Sequence, residues 1–410
     1  MICGSTGGGR MRASVAAAAT GILLTLLGGC GASGGEDGSA GAGPTPHGHV
    51  EGAEETAEPQ WRLILADAQG GRIHSLDPAT GKSVPVGEAA GLTAMRTDGR
   101  HAYLTTGDAQ RVIDTGVWTV DHGDHVHYYR APARTVGDLP AAGTPEVAGD
   151  LAVTTLAAGG TARVLDRKAL DDGKIQEPAR VEATVAVPYA GHLLAASDGT
   201  GHVAVHDRKG HRISQLPESC PEPRGQAITR RGAVLGCSDG ALLVTGEDGR
   251  FAAEKIPYPG EVPAEERALE FRHRPGSNVL AATAGDKGAW VLDIAARTWN
   301  RVGGSVPAVA VSAAGEDSPV LLLGRDGVLR SYDPGTGKQE ADTKLLKDTG
   351  SPKDTGGTRP SPVIQVDTMR AYVNDPAGNA VHEIDYNDDL RLARSFKLPF
   401  APAHMVETGW

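Results

Sequence analysis

From Trp61 onward the chain repeats one pattern of apolar and polar positions. A short apolar run meets a turn of small or acidic residues with Gly, then a second apolar run that often ends in Asp. Leu63-Ile64-Leu65-Ala66-Asp67 leads to Ile73, Leu76 and Asp77, and His192-Leu193-Leu194-Ala195-Ala196-Ser197-Asp198-Gly199 leads to Val203, Val205 and Asp207. Val234-Leu235-Gly236-Cys237-Ser238-Asp239-Gly240 leads to Leu242 and Val244, and Leu321-Leu322-Leu323-Gly324-Arg325-Asp326-Gly327 leads to Leu329, Tyr332 and Asp333. Such runs are too short for helices and carry the turn chemistry of hairpins. With two weaker copies at Ala102 and Ala152, the starts are Leu63, Ala102, Ala152, Leu193, Ala233, Val279, Val320 and Ala371. Their spacings are 39, 50, 41, 40, 46, 41 and 51 residues. A period of this size marks propeller blades, small sheets that bury their faces only against each other. The chain is therefore expected to be all-β, a β-propeller of eight blades over residues 60–410, or seven if one weak unit is a misreading. No sustained helical period appears, which argues against helical solenoids and βαβ folds.

The segment ahead of the repeats has another character. Arg10 and Arg12 precede an apolar stretch, residues 13–27, that ends in Leu27-Gly28-Gly29-Cys30. The stretch is short for a membrane span and reads as an export signal over residues 1–29. A small pair before Cys resembles a bacterial lipoprotein cleavage site, which implies that Cys30 becomes the lipidated first residue. Residues 30–59 hold almost no large apolar side chain and are expected to be a flexible tether of about 30 Å r.m.s. span. The protein would then be extracytoplasmic, lipid-anchored to the outer face of the cell membrane and monomeric.

Composition agrees with many tight turns between short strands: Gly is 56 residues and aromatics are 4%. The net charge is -11 and no basic stripe is visible, so nucleic acid is an unsuitable partner. Of the four cysteines, Cys3 and Cys30 fall in the leader, leaving Cys220 and Cys237. In an oxidising compartment this pair is expected to form a disulfide. The rival, a thiolate metal site, needs further ligands close by.

The long second spacing contains Val117-Trp118-Thr119-Val120-Asp121-His122-Gly123-Asp124-His125-Val126-His127-Tyr128-Tyr129. The flanks are strand formers and the centre is turn chemistry, so the segment reads as a hairpin. On one strand His125 and His127 share a face at about 6.6 Å. His122 in the turn can reach the same point. Asp121 and Asp124 can supply a fourth ligand or orient an imidazole. Imidazole with carboxylate suits Zn2+ as well as copper, nickel or iron, and the absence of Met or free Cys beside the cluster disfavours Cu(I). His47-Gly48-His49 in the tether reads either as a mobile arm that captures or passes metal or as linker polarity, and His404 either as a residue that approaches the central channel or as a packed or solvent-exposed one. The other long spacing, residues 347–360, reads as a solvated loop.

The combination resembles the AztD-type zinc metallochaperones, exported propellers that serve zinc ABC importers. The resemblance is carried by Val112-Ile113-Asp114-Thr115-Gly116 before Asp121-His122-Gly123-Asp124-His125, by Asn374-Asp375-Pro376-Ala377-Gly378 with His382-Glu383-Ile384-Asp385, and by Leu398-Pro399-Phe400-Ala401-Pro402-Ala403-His404. It implies delivery of zinc to the importer's solute-binding protein, by ligand exchange rather than catalysis. Two departures stand out. Relatives carry His near the position of Glu146, and His-Gly-Glu where this chain has Arg224-Gly225-Gln226, so ligands there are lost. The competing readings are a metal-dependent propeller hydrolase or lactonase, and a metal-free scaffold for protein binding. The former is opposed by a triple-His hairpin and by the lack of a Gly-x-Ser-x-Gly elbow.

Overall fold

The computed structural model describes residues 50–67, 71–304, 306–347 and 361–410. The proposed signal peptide, Cys30, His47 and His49 lie outside them, as does most of the 347–360 loop. Among the described residues are nine antiparallel sheets, and eight of them follow one another around a ring. In most of these the strands run from the axis outward in chain order, as in Val185–Tyr189, His192–Ala196, His202–His206 and Arg212–Ser219.

The first sheet is the exception that closes the ring. Its inner strand is Pro402–Thr408, paired with Arg62–Asp67, which pairs in turn with Arg72–Leu76. The sixth is built differently. Strands Val279–Thr283, Ala289–Asp293 and Thr298–Val302 form the sheet, and the inner place is held by Arg272 and His273, which make single bridges to Ala281 and to Ala313 of the next sheet.

Burial explains why the sequence shows continuous apolar runs rather than clean alternation. Gly232–Cys237 and Val320–Gly324 are buried at every residue, because each blade packs on both faces. The outermost Arg250–Pro257 strand alternates and is mostly open. Eight apolar clusters fill the spaces between consecutive sheets. One joins Ala227, Val234 and Ile256 to Leu280, Trp290 and Trp299 of the next blade, and another joins Leu63 and Met405 to Tyr372 and Val381 across the closure. Full burial of such a side chain contributes about 1.5–3 kcal/mol. Cys220 and Cys237 are disulfide-bonded, with Cα atoms 5.0 Å apart.

The ninth sheet lies outside the ring of blades. It consists of Val117–Asp121, Val126–Arg130 and the short strand Glu54–Thr56, which pairs with the second of these. Within the segment expected as tether, residues 54–56 are structured because their backbone completes the edge of the histidine hairpin.

Candidate metal centre

The hairpin interrupts the second blade between its third strand, Ala109–Asp114, and its outermost strand, Arg134–Pro140. Gly116 makes the exit possible: its φ is +74°, and a Cβ there would lie 2.3 Å from the Ala131 carbonyl oxygen. The base is pinned by Arg62, whose guanidinium donates to the carbonyls of Thr115 and Ala131. Thr119 donates its hydroxyl to the Gly409 carbonyl at 2.6 Å, tying the hairpin to the closing segment. The Arg100 guanidinium lies 3.7 Å from the Trp118 ring centre, and Trp118 stacks on Tyr129 at 5.0 Å. Arg100 is itself held by Asp114 through two bonds of 3.2 and 3.1 Å. Burial raises the Asp114 carboxyl, but the Arg100 bonds outweigh it and hold it below the usual range.

The last ladder pair is Asp121 with Val126, so residues 122–125 form the turn, closed by the His122 amide donating to the His125 carbonyl at 3.0 Å. Gly123 takes φ +90° and donates to the Asp121 carboxylate at 2.7 Å. His125 therefore ends the turn rather than sitting on the strand with His127. The three rings still converge. Centroid separations are 4.9 Å for His122–His125, 5.3 Å for His122–His127 and 4.8 Å for His125–His127, and one ligand atom from each lies within 4.8 Å of the others.

Two of the three imidazoles are oriented by carboxylates. His125 Nδ1 lies 2.7 Å from Asp124 Oδ1, and His127 Nδ1 lies 2.6 Å from Glu55 Oε1. An imidazole that donates Nδ1–H to a carboxylate is fixed in the tautomer whose Nε2 lone pair can bind metal. Tetrahedral zinc with Zn–N near 2.0–2.1 Å would hold such nitrogens about 3.3 Å apart. Side-chain rotation would have to close the present separations, up to 4.8 Å, to that spacing. The donor set fits zinc in kind, number and convergence.

The other expected metal-site residues that lie among the described ones, Asp121, Asp124 and His404, each have a definite place. Asp121 is committed to the turn. Asp124 serves its neighbour His125. His404 stands on the inner strand opposite Ala66, and the structure does not bring it to the three histidines. Burial, and then the nearby Arg96, depress the His404 imidazole. The residue that sequence reasoning missed is Glu55, which sat within the assigned tether with no apolar run to mark it.

No protein family matches the chain, and no curated protein matches it. The similarity lies in solved structures. The crystal structure of Citrobacter koseri AztD superposes with a TM-score of 0.70 at 18% identity, covering 86% of this chain and 98% of that one. The structure of apo AztD from the same organism gives 0.69 at 17%, covering 85% and 98%. The fold is AztD-type. A dihydro-heme d1 dehydrogenase, NirN, in complex with DHE is more distant, with a TM-score of 0.52 at 12% identity, covering 85% of this chain and 75% of that one.

On this AztD-type ring an axial cavity of about 380 Å³ is lined by Arg96, Glu146, Gln226, Glu270, Arg272 and Glu407, among others. One of its carboxylates, Glu270, faces two guanidinium groups, 2.5 Å from Arg272 and 3.4 Å from Arg96. Burial and the neighbouring Glu270 raise the Glu146 carboxyl. A wall neutralised in this way suits a divalent cation poorly. No helix among the described residues is long and apolar enough to cross a membrane.

Proposed function

We propose that this protein is an extracytoplasmic zinc-binding metallochaperone that loads zinc on His122, His125 and His127 and hands it to the solute-binding protein of a zinc ABC importer. The observation that carries the reading is the convergence of three imidazoles, two of them oriented by carboxylates. The AztD-type fold and the sequence segments that resemble AztD-type proteins support the same reading. Zinc is cargo here, and the chemistry is exchange of ligands with no bond made or broken in an organic substrate. Three nitrogen ligands leave the fourth tetrahedral position to water or to an incoming ligand, as in open rather than closed zinc sites. His122 and His125 lie in an exposed turn, so a partner's His or carboxylate can replace them one at a time. His127 is the best-covered of the three, with a side chain 11% exposed, and would be the last to let go. In this proposal Cys30 carries lipid, the tether expected over residues 30–59 links the propeller to the outer face of the membrane through the part that precedes the Glu54–Thr56 strand, and His47 and His49 assist transfer.

The test is metal content. Purified protein and a His122→Ala/His125→Ala/His127→Ala variant are exposed to equimolar zinc, copper, nickel and manganese, then desalted. About one zinc per chain, absent from the variant, is the expected result. Equal metal in both, or none in either, would remove the chemical basis of the proposal.

A further inference from the structure

Among the described residues, Glu55 reaches a histidine of the metal centre from outside the hairpin. It reaches His127 because Glu54, Glu55 and Thr56 pair in register with Arg130, Tyr129 and Tyr128. The side chains that hold this three-residue strand in place are polar and open to solvent. Glu54 makes two bonds of 2.9 Å to Arg130, Thr56 donates to the Tyr128 carbonyl at 3.3 Å, and Glu55 meets His127. Glu54 and Glu55 are exposed, Thr56 is half-buried, and no apolar side chain anchors the strand. Ion pairs of this kind contribute little, and segments with few buried apolar contacts open well below the global unfolding free energy.

We infer that residues 54–56 form a removable strap, that Glu55 is a positioning residue for His127, and that strap docking and zinc loading are one coupled equilibrium. The inference rests on the reading of the hairpin as the zinc site. Its physical basis is simple. With the strap docked, the Glu55 carboxylate fixes the His127 ring and adds a negative charge near the cation. With the strap lifted, His127 loses both. A factor by which the docked strap raises zinc affinity is, by linkage, the factor by which zinc raises strap docking. Transfer gains a trigger from this arrangement. A partner that displaces the strap loosens the metal without touching it.

The experiment has two readings on the purified full chain. Zinc affinity is measured by competition with a chromophoric chelator for wild type, Glu55→Ala, Glu55→Gln and Glu54→Ala. Removal of a carboxylate that orients a metal-bound histidine typically weakens binding about 10–100-fold, which is the expectation for Glu55→Ala. Glu55→Gln keeps an acceptor oxygen and should recover part of that loss. Glu54→Ala touches no histidine and should still weaken binding, by about two- to fivefold, through the strap alone. The second reading is cleavage by a glutamate-specific endoprotease at Glu51, Glu54, Glu55 and Glu58, with and without saturating zinc. Cleavage tracks the open population when opening is fast, so zinc should slow it by a factor similar to the Glu55→Ala loss. Wild type that binds zinc, with Glu55→Ala unchanged within twofold or cleavage unaffected by zinc, overturns the strap and leaves the zinc site standing. Wild type that binds no zinc overturns both.

Discussion

Replacing Glu407 with Gln should stabilise the protein at neutral pH. Glu407 stands on the closing strand opposite Leu63 and is 3% exposed, beside Asp367 at 2%. Asp367 is equipped to be the anion of the pair. One of its oxygens accepts from the amides of Met369 and Arg370 at 2.6 and 2.7 Å, and the other faces the Tyr372 hydroxyl at 3.5 Å. Burial, reinforced by the Asp367 charge and a hydrogen bond to it, pushes the Glu407 carboxyl well above its ordinary value of 4.5. Glu407 is therefore the proton donor. A carboxyl raised on folding contributes stability that is fully present below the unfolded value and is lost as pH rises through the folded one. Between the two values the loss approaches about 1.36 kcal/mol per pH unit. A domain of this size unfolds with an entropy of about 0.7 kcal/mol/K, so the slope corresponds to about 2 °C of Tm per pH unit. Gln reproduces the neutral acid and carries no titration. Thermal unfolding of both proteins at half-unit steps from pH 5 to pH 8 should show the variant gaining steadily on wild type as pH rises. A difference that stays flat across that range would mean Glu407 does not hold its proton in the fold, and the reasoning would be wrong.

Three further outcomes follow from other parts of the structure. Cys220→Ser/Cys237→Ser opens a covalent loop spanning 17 residues. In the chain-entropy model this costs about 3 kcal/mol, or about 4 °C of Tm, and an unchanged Tm would refute it. Arg100→Met leaves Asp114 buried with Arg134 at 3.4 Å as its remaining guanidinium partner, and should cost about 3–5 kcal/mol by chemical denaturation. A loss under 1 kcal/mol would show that the buried pair is not what seats the hairpin base. Zinc at about 100 times its Kd should raise Tm by about 4 °C through mass action, and the triple-histidine variant should show no such rise.

The ring was legible because its physics is local. Runs such as residues 321–323 and 193–196 are continuous rather than alternating, since both blade faces are covered, and Asp-Gly turns punctuate them. The disulfide followed from compartment and elimination. The three histidines were legible as a group because six residues of one hairpin carry them all. What the sequence concealed depends on pairing over long separations. Nothing in Glu54-Glu55-Thr56 marks a strand, because its partners lie more than 70 residues away and its side chains bury no apolar area. The placement of His125 at the end of the turn hinged on one backbone hydrogen bond, from His122 to His125, which alternation alone cannot anticipate. His404 shows the converse. Its position near the channel was foreseeable, yet only the three-dimensional arrangement shows that it is not grouped with the three histidines.

The Thr119–Gly409 bond joins residues 290 positions apart, across the strand that locks the first blade. Hairpins form quickly from local contacts, whereas ring closure must wait for distant segments to meet. The histidine turn can therefore fold early, but its foundation is complete only when the propeller has shut. Under the proposed function, metal capture at full strength would become a certificate of assembly: a molecule with a firm grip on its cation would be one whose circle has closed.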